Sequence, residues 1–319
     1  MVTYVIRRVI QAIPIMFGIS LVAFAIINLA PGSPVDRFRT GRVSPQTIQN
    51  LIHLYGLDQP VPVQYVKWIT TYVQFWRVDA WGYSFIDGQP VTQKIFERVP
   101  STLELMGTAL AVTIIVAVPI GILAAVKQYS WSDKIITSFA TIGYAVPSFW
   151  LGLMLSFIFA VQLRWFPLFG KYTFGQEGEP LNLVWHLVLP VSSLAIQSIA
   201  GWSRYMRSSM LEVLHQDYIR TAKAKGLPQR GVLYRHALRN ALIPIVTLLG
   251  LSIPTLLAGA AITESIFSWP GLGYLGVQSV QTRDYPVVLA FTMIGGFMVI
   301  TGNLLADILY AVVDPRIKY

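Results

Sequence analysis

An all-α integral membrane protein with six transmembrane helices is the fold class this sequence predicts, and three observations carry it. Only 12% of the 319 residues are charged and 54% are hydrophobic, whereas a soluble domain carries about a quarter charged residues. Six runs contain no Asp, Glu, Lys or Arg: residues 9–35, 105–126, 135–163, 181–203, 240–263 and 285–306. Each exceeds the roughly 20 residues that a helix rising about 1.5 Å per residue needs to cross a hydrocarbon core about 30 Å thick. The basic residues gather at the ends of these runs, which is where membrane topology is set.

The first run follows Arg7 and Arg8 and is longer than the apolar region of a signal peptide, so it reads as a retained first helix. Between it and the second run lies the one stretch long enough for a subdomain outside the membrane, punctuated by Pro34, Pro45, Pro60, Pro62, Pro90 and Pro100. There Ser44-Pro45 predicts an N-cap and first helical position, Ile48, Leu51, Ile52 and Tyr55 give one helical face, and Gly56 ends it. A further short helix is expected over residues 90–99. The uncharged stretch 265–282, SIFSWPGLGYLGVQSVQT, is too rich in Gly, Pro, Ser and Gln for a lipid-facing span. It is assigned to the interface or to a re-entrant loop.

Placing the N-terminus in the cytoplasm puts Arg7, Arg8, Lys127, Lys134, Arg316 and Lys318 there. The richest cluster joins them: Arg204, Arg207, Arg220, Lys223, Lys225, Arg230, Arg235 and Arg239. The short outer loops then keep only Arg164, Lys171 and Arg283, as the positive-inside rule requires. Both termini come out cytoplasmic.

The formal charge of +9 is accounted for by these ends, and no stacking aromatics alternate with the basic residues, so nucleic acid is not an expected partner. The absence of cysteine excludes disulfides, thiolate metal sites and a cysteine nucleophile. His53, His186, His215 and His236 have no spacing that gathers metal ligands. Of the ionisable residues at span ends, Glu104, Glu264 and Asp307 are read as solvated or structural, and none makes a mid-membrane relay. Pro147, Pro254, Gly295 and Gly296 mark expected kinks or close helix contacts. The pore-lining residues are not legible.

Residues 204–239 are too polar to span and too regular for a slack linker. Leu211, Leu214, Tyr218 and Ala222 fall at helical spacing, Gly226 and Leu227-Pro228 end that helix, and a second helix is expected over residues 230–242. Periodicity leaves two readings open, contact with anionic lipid head groups and docking on a cytoplasmic protein.

Here the residue strings add a resemblance. DYIRTAKAKGL at 217–227 and RHALRNALIPIVT at 235–247 resemble the cytoplasmic signature of ABC importer permeases, and of the B-type subunits of the dipeptide, oligopeptide and nickel family in particular. RRVIQAIPIMFGISLVAFAIINLAPGSP at 7–34, LYGLDQP at 54–60, IFSWPGLGYLG at 266–276, RDYPVV at 283–288 and NLLADILYAVVDPRIKY at 303–319 extend the resemblance over the whole chain in the same order. The wider superfamily places Glu-Ala-Ala, three residues and Gly in this loop, with a proline downstream. This chain has Arg220, Thr221 and Ala222 before Gly226, and Pro244 lies farther on, departures usual in the peptide-type branch. The ion pair that an acid makes there in other branches is not expected here.

The resemblance implies type I importer topology, with residues 1–35 as the first transmembrane helix and 36–100 as an extracytoplasmic subdomain. It makes 101–313 the transmembrane domain, with its coupling loop at 204–239, and 314–319 a cytoplasmic tail. It implies a half-channel in a prokaryotic inner membrane, paired with a second homologous permease, two ATPase subunits, an extracytoplasmic solute-binding protein and lipid. The chain has no phosphate loop of the form G-x-x-x-x-G-K-[ST], so ATP and Mg would be bound by the ATPases and the chain itself would need no cofactor. The resemblance assigns ATPase docking to Asp217, Tyr218, Arg220, Thr221, Ala222, Lys223, Ala224, Lys225 and Gly226, with small side chains allowing close approach. Peptides are the favoured cargo, with nickel complexes, glutathione or oligosaccharides carried by the same machinery as alternatives. An ion-coupled secondary carrier lacks its midplane charges, and an intramembrane enzyme lacks any triad, carboxylate pair or H-E-x-x-H motif.

Overall fold

The computed structural model describes residues 2–29, 44–54, 56, 58–74, 76–258 and 260–313. Residues 314–319, expected as a cytoplasmic tail with Arg316 and Lys318, and the Pro34 end of the expected first span lie outside them. Among the described residues there are helices and one isolated β-bridge, Tyr83 to Pro90. The helices in chain order are α1 (Val2–Leu29), α2 (Pro45–Leu54), α3 (Val61–Tyr72), α4 (Val91–Val126), α5 (Trp131–Ala145) and α6 (Ser148–Leu155). They continue with α7 (Pro180–Leu214), α8 (Asp217–Ala224), α9 (Gln229–Gly231), α10 (Leu238–Ala241), α11 (Ile243–Ala258), α12 (Ala261–Ile266), α13 (Leu272–Gln281) and α14 (Tyr285–Val313). Among the described residues, five helical stretches are long and apolar enough to cross a membrane, and the bent α5–α6 pair makes a sixth if it is one span.

The expected span over 135–163 is broken at Pro147, one of the positions read for a kink or close contact: α5 and α6 meet at a bend of 101°. Pro147 has no N–H to donate and pushes the residue before it out of the helical region, and Val146 is extended at φ −81°, ψ 124°. Beyond α6 the helix widens into a π segment, Ser156–Gln162. The separate helix expected over 90–99 is corrected, because α4 runs unbroken through Pro100 into the second span. At α2, the Ser44 hydroxyl accepts the Thr47 amide at 3.2 Å and Gly56 turns the chain at φ +65°, as the sequence leads one to expect.

The chain divides into two compact units, Met1–Pro100 with Leu275–Ile300, and Ser101–Tyr274 with Thr301–Tyr319. In the first, an aromatic series joins α1 to α3 and onward: Phe24 stacks on Trp68, Trp68 lies 5.4 Å from Tyr72, Tyr72 stacks on Trp81 at 5.0 Å, and Trp81 stacks on Phe96. Asp284, just before α14, ties down the 84–90 loop by accepting the Ser84 hydroxyl and the Phe85 amide. On that loop, partial burial pushes the Asp87 carboxyl up, but hydrogen bonds from Lys94 and the Gln89 amide outweigh it and hold the group below its ordinary range. The contact therefore contributes stability above the unfolded carboxyl's range and loses it as pH falls through the lowered value. Gly296 admits Ile19 where a Cβ would stand 2.8 Å from it, a close helix contact of the expected kind.

In the second unit, α4 and α7 cross at Gly121, whose added Cβ would lie 2.6 Å from the Met206 Cβ and 2.8 Å from the Ser203 carbonyl. Likewise Gly302 lies against Pro254, where a Cβ would stand 2.7 Å from its Cα. Arg207, counted in the basic cluster, is paired: its Nε and Nη2 reach the two oxygens of buried Asp133 at 2.7 and 2.8 Å. Such bidentate pairs are among the stronger charge-assisted contacts. Glu264 is fully buried. Its carboxylate accepts the Thr102 hydroxyl at 3.0 Å and the Tyr274 amide at 2.8 Å, while Thr102 Oγ1 in turn accepts the Leu272 amide. The WPGLGYL loop is thereby wound around one acidic side chain, with buried Trp269 donating to the Ser101 carbonyl.

Gly271 is required at this loop because a Cβ there would lie 2.4 Å from the Glu264 carboxylate. Gly271→Ala is expected to destabilise the unit by about 1–3 kcal/mol, read as a lowered Tm in detergent, with Gly295→Ala, where an added Cβ meets nothing within 4 Å, as the silent control.

Candidate functional site

The helix expected to run from Leu211 to Gly226 is interrupted. α7 ends at Leu214, His215 and Gln216 form a turn, and α8 starts at Asp217, so the last apolar face of α7 and that of α8 point independently. On α8 the inward residues are Ile219, fully buried, and Ala222. They pack into a cluster with Met206, Met210, Val232, Ala237, Ala241 and Ile245, drawn from α7, the helical stretch after α9, and α11. Burying Ile219 there contributes roughly 2 kcal/mol. Ala222, read both on the apolar stripe and among the docking residues, is buried here with its methyl against the chain's own core.

At about 100° per residue, burial of Ile219 and Ala222 turns Asp217, Arg220, Thr221 and Ala224 directly outward, and all four are exposed. Tyr218 and Lys223 flank that face. Tyr218, exposed rather than part of an apolar stripe, is tied back by its hydroxyl, which accepts the Asn240 amide at 2.8 Å. The outward polar groups pair locally, Thr221 Oγ1 donating to the Asp217 carbonyl and Arg220 standing 3.6 Å from the Asp217 carboxylate. Asp217 at the first turn and Lys223 at the last complement the helix dipole.

Gly226 has φ +77°, a left-handed conformation that costs other residues about 1–2 kcal/mol. The Gly226 amide donates to the Lys223 carbonyl and the Leu227 amide to the Ala222 carbonyl, which is the Schellman pattern of a helix C-terminus. Lys225, Gly226 and Leu227 are all exposed beyond it. The helix expected over 230–242 is present as α9, a π segment over Val232–Ala237, and α10. Ser209 on α7 donates to the Ala241 carbonyl and fastens that stretch.

The result is a short helix with a polar, small-residue outer face on a rigid apolar base. Of the nine residues expected to dock, the structure gathers Asp217, Arg220, Thr221 and Ala224 on one face, sets Tyr218, Lys223, Lys225 and Gly226 around it, and withdraws Ala222. Ile219 and Asn240, which hold the helix in place, were missed. The spacing of Ile219 and Ala222 is the signal that marks the inner face once the break at Gln216 is known. Among the described residues no group of His, Asp and Glu is placed to hold a metal.

Comparison with known proteins assigns the architecture. Residues 117–319 match the family described as binding-protein-dependent transport system inner membrane component, and residues 1–106 match its N-terminal companion. The oligopeptide transport system permease protein AppB of Bacillus subtilis (strain 168) is 45% identical, with both chains covered in full. The dipeptide transport system permease protein DppB of Alkalihalophilus pseudofirmus is 39% identical, again over 100% of each chain. A structure of the MetNI methionine ABC transporter in inward-facing conformations superposes with a TM-score of 0.56 at 15% identity, covering 70% of this chain and 98% of that one. With family matches over nearly its whole length and full-length relatives well above 30% identity, this chain belongs to the inner membrane components of binding-protein-dependent transport systems, as an ABC transporter permease subunit.

Proposed function

We propose that this chain forms half of the translocation path of an ATP-driven peptide importer in the cytoplasmic membrane of a prokaryote. The observation that carries this reading is α8, an exposed helix whose outward residues are small or polar and whose inward residues are locked into the bundle. The names of the full-length relatives, oligopeptide and dipeptide permeases, support peptide as the cargo. A second, similar permease completes the path, an extracytoplasmic solute-binding protein delivers the cargo, and two ATPase subunits bind ATP and Mg. Both termini are cytoplasmic in this reading, with residues 36–100 entering from the outer side, an orientation supported by the basic cluster of 204–239.

α8 transmits motion because it cannot move alone. Ile219 and Ala222 share a close-packed cluster with Met206 and Met210 of α7 and Ala117 and Ala125 of α4, and packed interiors transmit displacement rather than absorb it. When the ATPases close on ATP, a helix held in their cleft carries α4 and α7 with it, and the opening changes side. The test is purification in mild detergent with co-expressed neighbouring genes. A second permease and ATPases in the eluate are expected, and recovery of this chain alone, without ATPase activity, overturns the reading.

Ala224→Glu and Arg220→Glu alter the outward face alone. Each is expected to lower ATP-driven peptide uptake in proteoliposomes by about tenfold or more through lost docking, with the Tm of the isolated chain unchanged; full uptake by both would remove α8 from the coupling path. Ala222→Glu acts differently, placing a carboxylate in the apolar cluster at a cost of about 2 kcal/mol or more, and is expected to show first as a lowered Tm. Gly226→Val is expected to cost about 1–2 kcal/mol through backbone strain alone, because an added Cβ meets nothing within 4 Å.

A further inference from the structure

The segment between the first two spans returns to the first of them. α3 packs along α1 in the same compact unit, and the level of that contact can be measured on α1 itself. Tyr65 lies 6.3 Å from Phe17 and 5.4 Å from Phe24, ring to ring, and its hydroxyl is 2.7 Å from Ser20 Oγ. The Ser20 hydroxyl donates to the Phe17 carbonyl, so in this pair the Tyr65 hydroxyl is the donor. Ser20 is fully buried.

The apolar span of α1 is Ile6–Leu29. Ser20 is 20 − 6 = 14 residues from one end and 29 − 20 = 9 from the other, which places it about 4 Å from the middle of the span at 1.5 Å per residue. A hydrocarbon core about 30 Å thick centred on that span covers Ser20 by about 11 Å. Raising Ser20 to the boundary would draw Arg7 and Arg8 about 11 Å into the core, which two arginines resist strongly. The Tyr65 contact therefore sits at membrane depth whichever way the chain is oriented.

The rest of α3 is built for that depth. Val63, Val66 and Thr70 share the face turned away from α1, and Val63 and Val66 are exposed within the chain. The Thr70 hydroxyl donates to the Val66 carbonyl, the Thr71 hydroxyl to the Lys67 carbonyl and the Gln64 amide to the Gln59 carbonyl. Polar side chains thus spend their donors on nearby backbone, as a site without water demands. The exposed charge is Lys67, on the edge it shares with Gln64 and Thr71. An ammonium at this depth is stable only against water or a counter-charge.

We propose that α3 is a membrane-embedded helix, its Val63–Val66–Thr70 face against lipid acyl chains and its Lys67 edge against a hydrated cavity. The inference rests on α1 being a span and stands apart from cargo and ATPase docking. The chain has no cysteine, so single cysteines report without a background. Val66→Cys and Lys67→Cys are compared in the full chain in phospholipid vesicles, with Asp79→Cys as the aqueous reference and Ile13→Cys on α1 as the lipid reference. Toward a charged, impermeant thiosulfonate, Val66→Cys is expected to react at least about tenfold more slowly than Asp79→Cys, because the reactive thiolate needs water, while Lys67→Cys reacts within a few-fold of the reference. A spin label at Val66→Cys is expected to collide with oxygen as at Ile13→Cys and to be shielded from a water-soluble nickel chelate. Reaction of Val66→Cys at the aqueous rate overturns the embedding. Shielding from both oxygen and nickel shows a protein rather than lipid against this face and overturns the lipid contact, and an unreactive Lys67→Cys overturns the hydrated edge.

Discussion

Where water is excluded, every polar group has to find its partner inside the protein, and this constraint orders the structure more than any single apolar contact. Glu264 shows it most clearly. Buried in full, it collects a side-chain hydroxyl and a backbone amide, and the glycine at 271 is what lets the loop come close enough to supply them. Asp133 meets the same demand with Arg207, and Asp284 with the Ser84 hydroxyl and the Phe85 amide. A short acidic side chain serves each time as the point around which a loop or a second helix is fastened.

This arrangement divides labour along the chain. Apolar helices with small residues at their crossings, such as Gly121 against Met206, supply close-packed surfaces. The buried acids prevent those surfaces from sliding. α8 sits on the packed part and presents outward the few side chains that need no internal partner, so a force on it passes to α4 and α7 rather than into a flexible loop. That is the property a coupling element in an ATP-driven permease requires, and α8 owes it to Ile219 and Ala222.

Much of this was legible in the sequence. Charge-free runs located the spans because the cost of charge in hydrocarbon leaves a pattern that survives in one dimension. Motif strings located the family and the region of α8. The break between α5 and α6 lies at Pro147, already read for a kink or close contact, and that proline and the residue before it carry the cause. Pro100 misled, because a proline can be accommodated inside a long helix whose neighbours hold it. Helical spacing set Ala222 on the apolar stripe with Leu211 and Leu214, where its burial agrees, and only the resemblance named it for docking.

The sequence by itself determined that the chain is helical, crosses a membrane several times and carries a short amphipathic element before Gly226. These follow from composition, spacing and glycine's backbone freedom, which are local properties. Only the tertiary structure decided which side of α8 is available, which acids are fastened to which helices, and at what level α3 meets α1. Those depend on contacts between residues far apart in the chain, Thr102 with Glu264 or Ser20 with Tyr65, and no local pattern specifies which distant group will satisfy a buried donor.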